Sequence, residues 1–180
     1  TREQVAPVAP RRGHDRDKPR LLPEDDPVLV VLGISTREGE VKPSRRAKYR
    51  QVEEFLRLLD ATLGEALEKG HLRRPTVDDP LRVVDLGCGN AYLTFTALRF
   101  LAEIRGLPVA ITGVDTKDQS RRHNEEVAAE LGVAASFVTA GIAEVRLDPL
   151  PEVVLALHAC DTATDDALAR ALEWRSAVVL

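Results

Sequence analysis

The sequence predicts an α/β fold, a mostly parallel sheet with helices on both faces, and three observations predict it. From Arg82 onward, short β-branched runs alternate with stretches of helical periodicity, the rhythm of right-handed crossovers between parallel strands. The first of those runs leads into Gly87-Cys88-Gly89, a turn of small residues that opens a helix. Apolar residues make up 44% and charged residues 30% of the 180 positions, the balance of a globular domain with a sizeable core.

The elements follow in order. Residues 1–26 mix Pro7, Pro10, Pro19 and Pro23 with charges and show little apolar periodicity, so an irregular arm that orders on a partner surface is expected. Val28 to Leu32 reads as a short strand stopped by Gly33. From Ser44 to Lys69 the apolar residues Val52, Phe55, Leu56, Leu59, Leu63 and Leu67 fall on one helical face, with Gly70 as the stop. The expected division is therefore an arm over 1–43 and a domain over 44–180. Within the domain, strands are expected at Arg82–Leu86, Val109–Asp115, Ser136–Val138, Val153–Leu157 and Ala177–Leu180. Helices are expected over Ala91–Ile104, Gln119–Leu131 and Thr164–Leu172.

Composition narrows the function classes. No apolar run approaches the roughly 20 residues of a membrane-spanning helix, and no secretory leader pattern is present, so no membrane partner is expected. Two cysteines, Cys88 and Cys160, are too few for a disulfide framework and suit a reducing, cytoplasmic location. Residues 1–50 hold 12 Lys and Arg against 8 Asp and Glu, whereas residues 51–180 hold 13 against 21. A basic arm beside an acidic body would steer a polyanion such as RNA, although Arg outnumbers Lys 20 to 5 and a biased composition gives the same asymmetry. Nothing indicates an oligomeric state. The chain begins at Thr1 and contains no methionine, which reads as a fragment of a longer protein.

The glycine turn carries the chemistry. A strand-to-helix turn of small residues lets a ligand approach the backbone where the helix N-terminus offers free N–H groups. Asp85 stands just before it and could hold an ammonium group; Asp115 ends the next strand, where ribose hydroxyls would lie. A dinucleotide fingerprint would need glycine near Tyr92, and a pyrophosphate would be repelled by Asp85. That weighs against an NAD-dependent oxidoreductase and for a zwitterionic amino acid on a nucleoside.

The runs VVDLGCGNAYLTF, ITGVDTK and FVTAGI resemble the first three motifs of Rossmann-like class I methyltransferases. The resemblance implies S-adenosyl-L-methionine as cofactor, held by Asp85, Gly87, Cys88, Gly89, Asn90, Asp115, Thr116, Gly141, Ile142 and His158. Ala91 and Gly141 stand where that family often has a glycine and a polar residue, which leaves the adenine contact to the backbone of Gly141 and Ile142.

A second segment, LALHACDTATDDALARAL (Leu155 to Leu172), resembles a methyltransferase-domain family with bacterial members and eukaryotic tRNA 2′-O-methyltransferase relatives. The likeness extends upstream through HDRDKPRLL, LGISTREGEV and AKYRQVEEFL. It implies RNA as the methyl acceptor. It also implies a Pro-Cys-Cys segment after the fifth strand, so the chain, ending at Leu180, is expected to lack part of the substrate side.

At the end of the fourth strand, His158, Cys160 and Asp161 would face the sulfonium. His158 suits a general base or a polar residue that positions the cofactor. Asp161, with Thr162, Thr164, Asp165 and Asp166, reads as catalytic or as helix N-capping. Cys160 reads as a small buried filler. A metal site from Cys88, His158 and Cys160 would lack a fourth ligand, so no metal is expected. Cys88 is expected to face the 158–161 turn. Lys48, Arg50 and Gln51 either reach the cofactor face or a phosphate, or are solvated. The absence of an Asn/Asp-Pro-Pro-aromatic run argues against the usual amino-methylation of bases. A non-catalytic module binding the cofactor or RNA without turnover is the second reading.

Overall fold

The computed structural model describes residues 19–157 and 162–180. Its centre is one parallel sheet of β1 (Leu81–Leu86), β2 (Val109–Asp115), β3 (Ala135–Thr139), β4 (Val153–Leu155) and β5 (Val178–Val179), in the order β3-β2-β1-β4-β5. The chain winds outward from β1 to β3, then returns to place β4 on the other side of β1. The carboxyl ends of β1 and β4 therefore flank the point where the winding reverses, where open sheets of this kind bind ligands.

Alternation along β1 divides the core. Leu81 and Val83 join one apolar cluster with α2 (Arg46–Glu68), α3 (Tyr92–Arg99) and α4 (Asp118–Leu131), whereas Val84 and Leu86 join a second with α5 (Thr162–Trp174). Both faces of the central strand are thus dry, which is why LRVVDL reads as nearly continuous apolar sequence. The helix expected over Ala91–Ile104 starts one residue later and changes character midway. α3 passes into a π-helical turn, Phe100–Ile104, in which Arg105 N–H donates to Phe100 O at 2.9 Å. β4 ends at Leu155, two residues short of the expected Leu157.

The strand expected over Val28–Leu32 is instead a helix, α1 (Pro27–Val31). Asp26 caps it, its Oδ1 accepting from Val28 N at 3.0 Å, and Pro27 at the first helical position presets φ. That cap outweighs the β preference of a five-residue run, and Gly33, at φ +67°, turns the chain after it. Residues 19–26 have found a surface within their own chain. Leu22, Leu29, Ile34 and Val41 are buried in the α2–α3–α4 cluster. The buried carboxylate of Glu53 on α2 accepts from Leu21 N at 3.0 Å and Leu22 N at 2.9 Å, while Tyr49 Oη donates to Leu22 O at 2.7 Å.

Candidate functional site

The turn between β1 and α3 has an unusual backbone. Gly87, Gly89 and Ala91 all adopt positive φ, at +76°, +53° and +52°. A Cβ built at Gly87 or Gly89 would meet no protein atom within 4 Å. Protein crowding does not demand glycine there; the conformation does, and it leaves the space beside the turn open to a ligand. Ala91, left-handed at the N-cap of α3, contributes no side-chain cap, so the first N–H groups of α3 gain nothing from it.

Two carboxylates bracket the turn. Asp85 lies on the α3 side of β1 and is buried, its Oδ2 accepting the hydroxyl of Thr94 at 2.5 Å. Burial is the largest influence on it and the nearby Asp115 charge adds to it, pushing its pKa up to about 6 against the opposing Thr94 hydrogen bond. Asp115, half-buried at the end of β2, receives Gly89 N–H on Oδ2 and Lys117 N–H on Oδ1, each at 2.9 Å. Each of its oxygens keeps a further lone pair for a ligand hydroxyl.

The other predicted residues divide. Asn90 and Thr116 are exposed at the turn and just after β2. Gly141 O accepts from Glu144 N and Val145 N, forming a tight turn after β3, and Ile142 packs on the second core cluster. The Glu144 carboxylate, on an exposed side chain, lies over the space that a Cβ at Gly141 would fill. The 158–161 turn that Cys88 was expected to face lies outside the described residues. The Sγ of Cys88 lies 3.8 Å from Asn124 Nδ2 and 2.9 Å from a Cβ built at Gly113, on the β2–α4 side. Burial and the charges of Asp85 and Asp115 push this thiol up to about 12. His158, Cys160 and Asp161 lie outside the described residues, and among those described no group of three His, Cys, Asp or Glu could hold a metal ion.

Two contributors, Thr94 and Asn124, were not read from the sequence, and Tyr92 was read only as a departure from a dinucleotide turn. Thr94 meets Asp85 because both point into the gap between β1 and α3. Asn124, fully buried on α4, donates to Gly89 O at 2.9 Å; its signal was a polar residue on the face that carries Val127 and Ala128. Tyr92, at the head of α3, donates its hydroxyl to Gln51 Oε1 at 2.7 Å, and Lys48 Nζ sits 3.9 Å from its ring centroid. Burial, then the Arg45 charge, lowers the pKa of Lys48. Of the three α2 residues left open, Lys48 and Gln51 therefore meet Tyr92, just after the turn, and Arg50 is exposed.

Residues 47–180 match the family described as "Methyltransferase domain". None of the curated proteins matches the sequence. Among solved structures, the chain is similar to the plantazolicin methyltransferase BpumL in complex with SAH, at 15% identity and a TM-score of 0.46, over 82% of this chain and 52% of that one. It is similar to a SAM-dependent methyltransferase from Geobacter sulfurreducens in complex with S-adenosyl-L-homocysteine, at 26% identity and TM-score 0.41, over 61% and 41% of the two chains. A third is a protein from Galdieria sulphuraria described as a "putative sarcosine dimethylglycine methyltransferase", at 21% identity and TM-score 0.42, over 60% and 36%. The chain spans about half, or less, of the length of these proteins.

Proposed function

The chain belongs to the methyltransferase-domain family matched by residues 47–180, and on that premise we propose that it binds S-adenosyl-L-methionine at the β1–α3 turn and transfers a methyl group to RNA. The observation that carries the cofactor assignment is the open, positive-φ turn at Gly87 and Gly89 set between a buried carboxylate and a ribose-height one.

The residues fit that cofactor chemically. Asp85 Oδ2 is satisfied by Thr94, and among the described residues no donor meets Oδ1, which leaves an acceptor for the methionyl ammonium. Asp115 offers its remaining lone pairs to the ribose hydroxyls. The N–H groups of Gly87, Cys88, Gly89 and Ala91 are taken up by Val114 O, Asp115 and Cys88 O, so the exposed Asn90 lines the approach, and Thr116, Gly141 and Ile142 border the nucleoside side. Cys88 serves the site through its backbone, since its side chain is packed against Gly113. Tyr92 occupies the position at which a dinucleotide turn needs glycine, and Asp85 repels a pyrophosphate, so the same turn disfavours NAD.

The bound cofactor supplies an electrophilic methyl group on a sulfonium. The chain's share of an in-line displacement is to align the acceptor, exclude water and take its proton. His158 is assigned proton acceptance and cofactor contact, and Asp161 orientation of His158 or of the acceptor. RNA as acceptor is supported by the resemblance of the Leu155–Leu172 segment and by the basic balance of residues 1–50.

Isothermal titration of the protein with S-adenosyl-L-homocysteine tests the first half: binding is expected, with loss in Asp85→Ala, and the absence of heat would remove the proposal. Incubating the longer protein that contains this chain with methyl-labelled cofactor and fractionated RNA, protein and small molecules tests the second. Label in the RNA fraction is expected; label confined to another fraction reassigns the acceptor.

A further inference from the structure

We propose that the first two turns of α2, with Arg20 beside them, form a track for the phosphodiester backbone of the acceptor nucleic acid leading to the mouth of the glycine turn; this deepens, and rests on, the reading of RNA as acceptor. The starting observation is a contrast in charge pairing. Farther along the chain, arginines such as Arg57, Arg73, Arg99 and Arg121 lie about 3 Å from a carboxylate. Among the described residues, Arg20, Arg45, Arg46, Lys48 and Arg50 have no ion-pair partner. The run from Lys42 to Arg50 contains no acidic residue at all.

These cations sit where local physics disfavours them. A helix N-terminus carries partial positive charge and is stabilised by acids or by capping oxygens. α2 has Arg45 at its N-cap with no side-chain cap hydrogen bond, and no acid in its first turn. A sequence that opposes its own helix end, with carboxylates abundant elsewhere, is the pattern expected where an external anion completes the balance.

Shape and position supply the rest. Arg20, Arg46, Arg50 and Tyr49 line a groove of about 300 Å³, in which the single acidic lining residue, Glu24, is turned to Val41 N at 3.3 Å. The Arg20 guanidinium lies over the Tyr49 ring, 5.3 Å from its centroid, and both residues line the groove. On the opposite flank of the same two turns, Lys48 and Gln51 meet Tyr92, the residue that follows the glycine turn. Groove and turn are therefore separated by about one helix diameter, roughly 10 Å, a span of two or three nucleotides. The apolar groove residue, Val41, is buried, so the surface offers no side chain for insertion into a lipid layer. Mixed cationic and aromatic lining suits a nucleic acid, whose phosphates and bases both find partners.

The test is fluorescence anisotropy of the full chain with a labelled oligouridylate of about 15 nucleotides, within the site sizes of single-strand binders. Wild type is expected to bind with a steep salt dependence. Arg46→Ala/Arg50→Ala should weaken binding about tenfold or more at low salt and flatten the log–log salt slope by about 1.4, two phosphates' worth. The double variant Arg74→Ala/Arg146→Ala, at exposed cations away from the groove, should bind as wild type does. S-adenosyl-L-homocysteine titration should be unchanged in all three, which verifies folding and reads the cofactor site separately. No binding by wild type, equal binding by the groove variant, or an equal loss in the control variant overturns the track. Displacement by polyglutamate as effective as by unlabelled oligouridylate at equal charge overturns its assignment to nucleic acid. Loss of homocysteine-analogue binding alone would count against the cofactor reading and leave the track standing.

Discussion

Asp115 Oδ2 accepts the N–H of Gly89 at 2.9 Å, so the carboxylate that ends β2 also fixes the turn that follows β1. Asn124 holds the other side of the same residue through Gly89 O. The turn is thereby set in place by two elements that do not belong to it, and its peptide edges need little reorganisation on binding. Asp115→Ala is expected to weaken S-adenosyl-L-homocysteine binding by about 100-fold, the combined loss of a charge-assisted ribose contact and of the tether, each about 1.5 kcal/mol. Asp115→Asn keeps an acceptor for Gly89 and should lose about tenfold. Equal affinity of Asp115→Ala and wild type by calorimetry would sink the assignment.

Asp85 links stability to pH. Its pKa is raised to about 6 in the folded chain, from an ordinary 3.8. The folded state therefore holds a proton that the unfolded state has released between those values, and stability falls as pH rises from about 4 to 6. The shift of about two units corresponds to roughly 3 kcal/mol. Asp85→Asn should remove that slope and be the more stable protein above pH 6, while binding S-adenosyl-L-homocysteine poorly. Thr94→Val removes the hydrogen bond that favours the anion and should push the pKa higher still. In wild type, affinity should decline below pH 6 as the carboxylate is neutralised. Chemical denaturation at a series of pH values reads the first effect, and titration calorimetry the second; a flat stability profile in wild type contradicts both.

The elements that were legible in the sequence are those whose pattern is set by burial on a sheet or a helix face. β2 runs from Val109 to Asp115 as its apolar run indicates, and α2 follows its heptad-like face closely. Where two local rules compete, pattern alone misleads: Val28 to Leu32 favours a strand, and only the Asp26-Pro27 pair announces the helix that forms. Asp85 and Asp115 could be found because they end adjacent strands, a consequence of topology. The direction of Cys88 could not, because it depends on φ at the flanking glycines and on the space that Gly113 leaves. Thr94 meets Asp85, and Asn124 meets Gly89, through the tertiary packing of α3 and α4 on the sheet, which no spacing in the sequence encodes.

Gly113 on β2 is required by its neighbours. A Cβ there would stand 2.7 Å from two ring carbons of Phe137 and 2.9 Å from Cys88 Sγ. Phe137 in turn packs against Phe95 with ring centroids 5.6 Å apart, so it has little room to withdraw. Gly113→Ala is expected to cost about 1–3 kcal/mol, the range of overpacking in a filled core. Because the thiol belongs to the turn, cofactor affinity should fall as well. Phe137→Leu added to Gly113→Ala should recover part of the stability in thermal unfolding; no recovery would mean that the strain lies elsewhere.

Glu53 is the anchor of the N-terminal segment. Its buried carboxylate accepts both Leu21 N and Leu22 N and pairs with Arg57 at 3.0 Å, while Arg57 also donates to Pro19 O at 2.7 Å. Glu53→Ala leaves two backbone donors without their acceptor and removes the ion pair with Arg57, at a cost of about 3 kcal/mol. Because these contacts hold residues 19–22 against α2, the change should release that segment ahead of the sheet. Trypsin should then cleave after Arg20 under conditions in which the wild-type bond is protected. Glu53→Gln keeps one acceptor oxygen and should give an intermediate rate. The cleavage rate separates local release from global unfolding, since cuts within α4 at Arg121 would rise in parallel only if the whole domain opened. Unchanged protection at Arg20 in Glu53→Ala would show that Leu22 burial alone holds the segment.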